Sequence, residues 1–296
     1  MSMDVRLPAA FVAALYLFVS PAAAGQAAPA PAPVRVEIVA APPAGKAGSP
    51  ATLGVRFVME DGWHIYWRNP GDSGGPPEVR WSLQPGLAAG PLQWPLPERI
   101  PFDVMVNYGY HGDVVLPVRV TAAGGWPKTP FVVSADVKWV ACREICVPGK
   151  AQVSRQLPAG FAATSDIGAA LVERALARVP APASPGWKVS GEAGDDTFRI
   201  TVETGRMERQ ASFFPLLPAQ VEAAAPVGAA PTDRGVVLTI KKSSYLSAPI
   251  PSLKGVIVIG GRGYEVDVPL QPARSPRPSG RDGAHSTPNL PTRSPR

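Results

Sequence analysis

The sequence has few of the residues on which disulfide scaffolds and metal centres depend: two cysteines and three histidines in 296 residues. Two cysteines cannot build a disulfide scaffold, so hydrophobic burial must hold the fold together. A hydrophobic content of 45% is enough to fill two ordinary cores. Helical periodicity is also scarce, whereas the 37 prolines favour short strands with many turns. These features predict an all-β protein.

Long apolar runs are confined to the N-terminus. Residues 1–24 have a charged start at Arg6, an apolar run and an Ala22-Ala23-Ala24 motif, which together predict a cleaved signal peptide. A retained anchor is less favoured, because the run is shorter than the ~20 residues of a spanning helix. No later segment is apolar enough to span a bilayer. We therefore expect a soluble protein exported to the periplasm, where disulfides persist.

The net charge of +6 is placed unevenly, since residues 271–296 carry five Arg against one Asp and so contribute +4. This segment is rich in proline and is predicted to be a disordered tail. A basic tail can contact nucleic acid or anionic lipid, but in an exported protein a solvated terminus is favoured, so no nucleic-acid partner is expected. Residues 25–33 form a similar Ala/Pro-rich segment, predicted to be a disordered linker.

Short alternating strands recur at roughly ten-residue intervals in two parts of the chain. They predict a first β-sandwich over 34–160 and a second, smaller one over 187–270. Between them, 161–186 is predicted to hold a helix and a Pro-rich linker, with Thr164 or Ser165 as the helix cap and Pro180 as its stop. The predicted fold is two immunoglobulin-like antiparallel β-sandwiches joined by a short helix and linker.

The two cysteines lie four residues apart, at positions 142 and 146. The run 131–142 alternates apolar and polar residues, which predicts a half-buried strand with Cys142 at its end. Pro148-Gly149 is typical of a turn, and 151–157 reads as a return strand. Both sulfurs are therefore expected in a hairpin-like loop, which excludes a thioredoxin-type arrangement with the cysteines at a helix.

A disulfide across so short a loop stabilises a fold by only about 2 kcal/mol, against roughly 4 to 5 for one that spans a domain. A reversible dithiol/disulfide that exchanges with partners fits better than a structural bridge. A non-catalytic secreted interaction protein with a structural disulfide stays an alternative. Zinc is disfavoured, because none of the three histidines is near the pair. We predict no metal site and no cofactor.

Several motifs, in order along the chain, resemble the periplasmic N-terminal region of DsbD-type thiol:disulfide interchange proteins, and the ScsB (suppressor of copper sensitivity B) branch in particular. In the first predicted sandwich they are DGWHIYWRNPGDSG (61–74), WPLPER (94–99), NYGY (107–110), VLPV (115–118) and CREICVP (142–148). In the second they are SFFP (212–215) and GGRGYEV (260–266). The resemblance implies an immunoglobulin-like domain that carries electrons as a protein-disulfide reductase module.

The resemblance also implies residue roles. Cys146 matches the cysteine that forms the mixed disulfide with a partner, and Cys142 matches the resolving cysteine. The cap loop and the lining of the site correspond to His64, Tyr66, Asn107, Tyr108 and Gly109, although the family often has Tyr where this chain has His64. The implied donor is a membrane electron-transfer protein or a thioredoxin-like domain, and the implied acceptors are periplasmic thioredoxin-fold proteins.

Family members continue into transmembrane helices and a thioredoxin-like domain, which this sequence does not contain. Either the electron source is a separate polypeptide, or the gene is truncated and the module is idle. A different class of function also stays open, namely a copper-binding or copper-tolerance module. In that case Cys142 and Cys146 would hold Cu(I) together with Met59, Met105 or His64, since thiolate and thioether ligands suit this soft ion.

Overall fold

The computed structural model describes residues 32–43, 48–162 and 167–273. The predicted signal peptide, most of the 25–33 linker, the helix cap at Thr164 or Ser165 and the tail beyond residue 273 lie outside the described residues. The predicted all-β class is confirmed, because strands dominate the described chain and its α-helix is short. In these residues no helix is long and apolar enough to cross a membrane.

The first sandwich consists of two sheets with a shared hydrophobic core. Its strands are β1 (Val34–Ala41), β2 (Ala51–Met59), β3 (His64–Gly71), β4 (Glu78–Ser82), β5 (Leu87–Leu92), β6 (Glu98–Phe102), β7 (Met105–His111), β8 (Asp113–Ala122), β9 (Phe131–Cys142) and β10 (Cys146–Leu157). One sheet has the order β1-β2-β8-β5, and the other has the order β10-β9-β3-β7-β6, with β4 also paired to β9. Antiparallel strands with apolar inner faces account for this packing.

Strand β9 follows the alternation that its sequence predicts. Its buried residues occupy every second position, and they are Phe131, Val133, Ala135, Val137, Trp139 and Ala141. These side chains face the core, while Asp136 and Lys138 are exposed on the other face. Because the side-chain period of a strand is two, Cys142 belongs to the face that points away from the core.

The predicted turn at Pro148-Gly149 is wrong. Both residues lie inside β10, opposite Val140 and Trp139 in the β9–β10 ladder. Gly149 is needed there because a Cβ at this position would overlap the indole ring of Trp139. Proline is tolerated because β10 is an edge strand of its sheet. The turn lies instead at 143–145, so the two strands begin to pair at the cysteines themselves.

Helix α1 (Ile167–Arg178) packs on the outside of the first sandwich. Leu171, Val172 and Ala175 form a small buried cluster with Val39 of β1 and Val115 of β8. In the sequence, an apolar stripe at helical spacing is formed by Ile167, Leu171, Val172, Ala175, Leu176 and Val179. The central part of this stripe covers a sheet face, so the helix does more than connect two parts of the chain. Ile167, which the stripe included, is exposed.

The second sandwich is built from a single curled sheet. Its strands are β11 (Ala181–Pro182), β12 (Lys188–Ala193), β13 (Thr197–Glu203), β14 (Ala211–Pro215), β15 (Gly228–Thr232), β16 (Gly235–Lys241), β17 (Ser252–Ile259) and β18 (Arg262–Pro272). The order is β14-β17-β18-β12-β13-β16-β15, with β11 paired to β18. Most pairs are antiparallel, but β11 and β12 each pair with β18 in parallel. Strand β18 runs through Pro272, past the predicted end of this sandwich at residue 270.

The two sandwiches share apolar contacts at their junction. Phe214 of β14 packs edge-on against Trp67, with ring centroids 6.1 Å apart, and against Tyr108 at 5.3 Å. The buried amide of Asn69 donates hydrogen bonds to the carbonyl oxygens of Pro215, at 2.9 Å, and Leu217, at 3.2 Å. Strands β3 and β7 of the first sandwich are therefore packed against, and hydrogen-bonded to, residues of the second sandwich.

Candidate functional site

The two cysteines close the β9–β10 hairpin as a disulfide. Cys142 ends β9 and Cys146 begins β10, and the two residues are direct cross-strand partners. Their Cα atoms are 4.1 Å apart and their sulfurs are bonded at 2.05 Å. Residues 143–145 form the turn between them, so both sulfurs stay close to each other whether they are bonded or reduced.

The two halves of this disulfide differ in exposure. Cys142 is 0% exposed, whereas Cys146 belongs to the exposed residues at the start of an edge strand. A thiolate from another protein can therefore approach Cys146 but not Cys142. In a displacement at Cys146, the sulfur of Cys142 would be the leaving group, because the attacked sulfur forms the new bond.

The aromatic strand β3 covers the buried sulfur. Ile65 and Trp67 point into the core, while His64 and Tyr66 lie on the opposite face beside Cys142. The Tyr66 hydroxyl donates a hydrogen bond to the Cys142 sulfur at 2.9 Å and lies 3.9 Å from the Cys146 sulfur. Burial raises the pKa of the Tyr66 phenol, so this hydroxyl stays protonated and can donate to a thiolate at Cys142.

The β3–β4 loop, residues 72–77, lies over the Tyr66 ring. Gly74 has φ +84°, and a Cβ at this position would overlap the ring, so glycine is required both for the backbone conformation and for the close approach. The loop is held by Asn107, whose side-chain oxygen accepts hydrogen bonds from the Ser73 backbone N–H at 3.1 Å and hydroxyl at 3.0 Å. Asp72 accepts a further bond from the backbone of Val106.

His64 is 2% exposed and is the cross-strand partner of Cys142 on one side and of His111 on the other. Its ring contacts Tyr66 at a centroid distance of 5.3 Å and His111 at 5.7 Å. Burial, with a smaller contribution from His111, lowers the pKa of His64 to about 4. The imidazole is therefore neutral near pH 7 and belongs to the cross-strand neighbour of the buried Cys142.

The turn between the cysteines presents an apolar side chain flanked by opposite charges. Ile145 is 66% exposed. Arg143 and Glu144 form an exposed ion pair at 2.7 Å, and the Arg143 guanidinium lies over the Trp63 ring at 5.4 Å. Since the two charges neutralise each other, the turn places little net charge beside the disulfide.

The structure gathers most, but not all, of the residues expected at the site. Cys142, Cys146, His64 and Tyr66 lie together, and Gly109 is the cross-strand partner of Tyr66 on β7. Tyr108, expected in a cap loop, is instead buried in the core against Phe214, because its neighbour Gly109 occupies the face that carries Tyr66. Asn107 acts as the anchor of the covering loop.

Sequence reasoning missed Ser73 and Gly74 as the segment that covers Tyr66, and it missed His111 as the neighbour of His64. The available signal was the DSGG segment (72–75) after an aromatic strand, which marks a tight loop. The described residues hold no group of three or more His, Cys, Asp or Glu arranged to bind a metal. Met59, weighed as a copper ligand, lies in the core on the sheet that does not carry the cysteines.

An immunoglobulin-like sandwich with a hairpin disulfide, one cysteine exposed and one buried, is the class of β-domain that the structure defines. Residues 31–158 match the family model described as "Thiol:disulfide interchange protein DsbD, N-terminal". This part of the chain is therefore a DsbD-type N-terminal domain, that is, a thiol–disulfide exchange module. The family resemblance predicted from the motifs is confirmed.

Comparison with solved structures extends the likeness in fold. The N-terminal periplasmic domain of ScsB from Proteus mirabilis matches with a TM-score of 0.58 and 15% identity, covering 80% of this chain and 91% of that chain. At this identity the likeness concerns the fold. The periplasmic chaperone SfaE aligns at 10% identity with a TM-score of 0.20 over 81% of this chain and 100% of that chain, which carries no argument. No curated protein sequence matches.

Proposed function

We propose that this protein is a periplasmic protein-disulfide reductase module that relays reducing equivalents to partner proteins through the Cys142–Cys146 disulfide. The observation that carries the proposal is the pairing of an exposed Cys146 with a buried Cys142 that accepts a hydrogen bond from Tyr66. A bridge that only braced the fold would have no need for one accessible sulfur and a donor aimed at the other.

The cysteine pair is first reduced by the electron donor, which we call the charging step. A thiolate of the donor attacks the Cys146 sulfur. A mixed disulfide forms between the donor and Cys146, the Cys142–Cys146 bond breaks, and the electron pair leaves on Cys142, where Tyr66 donates its hydrogen bond. A second thiolate of the donor then attacks its own sulfur in the mixed disulfide and releases Cys146. The donor is oxidised to a disulfide, and the cysteine pair is reduced by two electrons.

The reduced cysteine pair then passes its electrons to an acceptor protein, which we call the discharging step. The Cys146 thiolate attacks the disulfide of the acceptor. One acceptor sulfur leaves as a thiolate, and the other stays bonded to Cys146. Cys142 then attacks Cys146, re-forms the internal disulfide and releases the reduced acceptor. Because both cysteines lie at one hairpin end, the second attack needs no rearrangement of the fold, and proximity supplies much of its rate.

We further propose that partners dock on the turn around Ile145. An exposed apolar side chain beside the reactive sulfur, with Arg143 and Glu144 at its rim, suits a partner that buries a small apolar patch around its own cysteine. The proposed acceptors are periplasmic thioredoxin-fold proteins. The proposed donor is a membrane electron-transfer protein or a thioredoxin-like domain, and the predicted signal peptide supports the compartment.

The test compares Cys142→Ala with Cys146→Ala in tagged protein exposed to a periplasmic extract. Cys142→Ala should accumulate stable mixed disulfides at Cys146, because the resolving thiol is gone, whereas Cys146→Ala should trap few partners since Cys142 is buried. Captured proteins are identified by mass spectrometry after non-reducing electrophoresis. The reverse pattern would exchange the two roles, and an absence of disulfide-linked partners in both variants would favour a structural bridge.

A further inference from the structure

Exchange at the buried cysteine requires a proton acceptor. A thiol attacks a disulfide only as a thiolate, yet Cys142 is 0% exposed. When the reduced pair discharges, Cys142 must therefore lose its proton away from bulk water. When the pair is reduced again, the Cys142 thiolate must gain a proton in the same enclosed place.

His64 is the buried base nearest in register to this sulfur. It lies opposite Cys142 across the β3–β9 ladder on the same face of the sheet, where directly opposed Cβ atoms are about 4.5 to 5.5 Å apart. Its Nε2 atom is buried and has no hydrogen-bond partner among the described residues. Buried polar atoms are nearly always paired, so an unpaired ring nitrogen on the residue opposite Cys142 points to a partner that exists only after reduction, the Cys142 thiol.

No other group that faces His64 or lies beside it is suited to accept the Cys142 proton. The groups that face it or lie beside it are Tyr66 on its own strand, His111 on β7 with Glu98 on β6, Cys146 on β10, and the Arg143–Glu144 pair in the turn. Tyr66 stays protonated, so it donates to the sulfur rather than taking its proton. His111 is exposed and lies 3.3 Å from Glu98, and Arg143 is paired with Glu144. His64 is neutral near pH 7, because burial lowers its pKa to about 4.

We propose that His64 is the general base of the discharging step, an inference that rests on the exchange function proposed above. In the mixed disulfide at Cys146, the Cys142 S–H transfers its proton to His64 Nε2. The Cys142 thiolate attacks the Cys146 sulfur, the internal disulfide forms, and the bond between Cys146 and the acceptor breaks. The electron pair leaves on the acceptor sulfur. His64 then passes the proton to the departing acceptor thiolate, so that the imidazole is neutral again in the oxidised protein.

The test follows the reduced full chain with excess glutathione disulfide, quenched and read by mass spectrometry. Wild-type protein should form a glutathione adduct at Cys146 and then lose it as the internal disulfide closes. His64→Gln should form the adduct at the wild-type rate but lose it on the order of 100-fold more slowly at pH 7, the range expected for removal of a general base. His111→Gln is the matched control and should lose the adduct at close to the wild-type rate.

The pH profile separates a base from a merely structural residue. With His64 present, loss of the adduct should vary little with pH between about 5 and 8, because the proton passes within the pair. Without it, the rate should rise about tenfold per pH unit, following the fraction of Cys142 thiolate. An adduct lifetime in His64→Gln within threefold of wild type, with the same pH profile, overturns the inference. Failure of the wild-type protein to form or close the adduct would instead contradict the exchange function.

A measurement on the native residue covers the case in which His64→Gln does not fold. The proposal requires His64 Nε2 to be unprotonated in the oxidised protein and to accept a hydrogen bond from Cys142 after reduction. The ¹⁵N resonance of this nitrogen should therefore move upfield on reduction of wild-type protein, and Cys142→Ala should abolish the change. A proton on Nε2 in both states, or a shift that persists in Cys142→Ala, overturns the inference.

Discussion

The two sandwiches differ in how they use the outer faces of their inner strands. In β13 of the second sandwich, buried residues such as Phe198, Ile200 and Val202 alternate with partly or fully exposed ones. In β3 of the first, four consecutive residues from His64 to Trp67 are buried, and the β3–β4 loop lies over Tyr66 on the face away from the core. The site around the disulfide therefore lies where a second, polar layer is buried on a sheet whose other face already forms the core.

The largest expected effect is a loss of stability in the second sandwich that leaves the reactivity of the disulfide unchanged. Leu238, in the core of the second sandwich, is 0% exposed. Leu238→Ala should lower the free energy of unfolding by about 2 to 5 kcal/mol, because it removes buried methyl groups and leaves a cavity. Reduction of the folded protein by dithiothreitol should keep its wild-type rate. Urea unfolding and stopped-flow reduction measure the two quantities.

The neighbouring exposed position provides the control. Thr239→Ala should change the unfolding free energy by less than about 0.5 kcal/mol. A large change in reduction rate for Leu238→Ala would show that the second sandwich governs the reactivity of the disulfide. The two sandwiches would then not differ in the way described.

The next effect concerns rate rather than stability. Tyr66→Phe removes the hydroxyl that donates to the Cys142 sulfur. A hydrogen bond to a charged group is worth about 1.5 to 3 kcal/mol, so reduction by dithiothreitol should slow by roughly 10- to 100-fold as the Cys142 thiolate loses this donor. Stopped-flow kinetics of disulfide reduction provide the measurement.

A second buried tyrosine gives a matched variant on the other face of the sheet. Tyr110 donates to the Pro95 carbonyl at 2.7 Å within the core. Tyr110→Phe should therefore cost stability while leaving the reduction rate unchanged. Equal rates for Tyr66→Phe and wild type would remove Tyr66 from the mechanism.

The smallest effect tests the covering loop. Gly74→Ala combines φ +84° with overlap of the Tyr66 ring, so it should displace the loop, lower the free energy of unfolding by about 1 to 3 kcal/mol and speed reaction of the disulfide with a phosphine reductant. Gly75→Ala is the control, because a Cβ there meets no described atom within 4 Å. Unchanged reactivity in Gly74→Ala would mean that the loop does not shield the site.

Local sequence patterns were sufficient for much of the fold. The alternation in β9 predicts which of its side chains enter the core, because the period of a strand is a local property. The apolar stripe of α1 likewise predicts a packed helix, although the sheet it covers is formed by distant strands. The turn predicted at Pro148-Gly149 was wrong because residue type alone does not separate turns from edge strands. Here an edge strand tolerates the proline, and the Trp139 ring requires the glycine.

The site was predictable in its chemistry but not in its geometry. The spacing of the cysteines and the motifs around them indicated a reversible disulfide near His64 and Tyr66. The position of Tyr108 was not predictable from NYGY, because the side of the sheet that each residue occupies depends on the β3–β7 register, where Gly109 lies opposite Tyr66.

The amino-acid order alone determined the strand class, the presence of one closely spaced cysteine pair and the family to which its domain is related, since all three are carried by residues near one another in the chain. The tertiary structure decided which sulfur is buried, which hydroxyl bonds to it and which loop covers it. Those properties depend on contacts between segments as far apart as Tyr66 and Cys142. Burial and hydrogen bonding across a sheet arise only when the strands have paired.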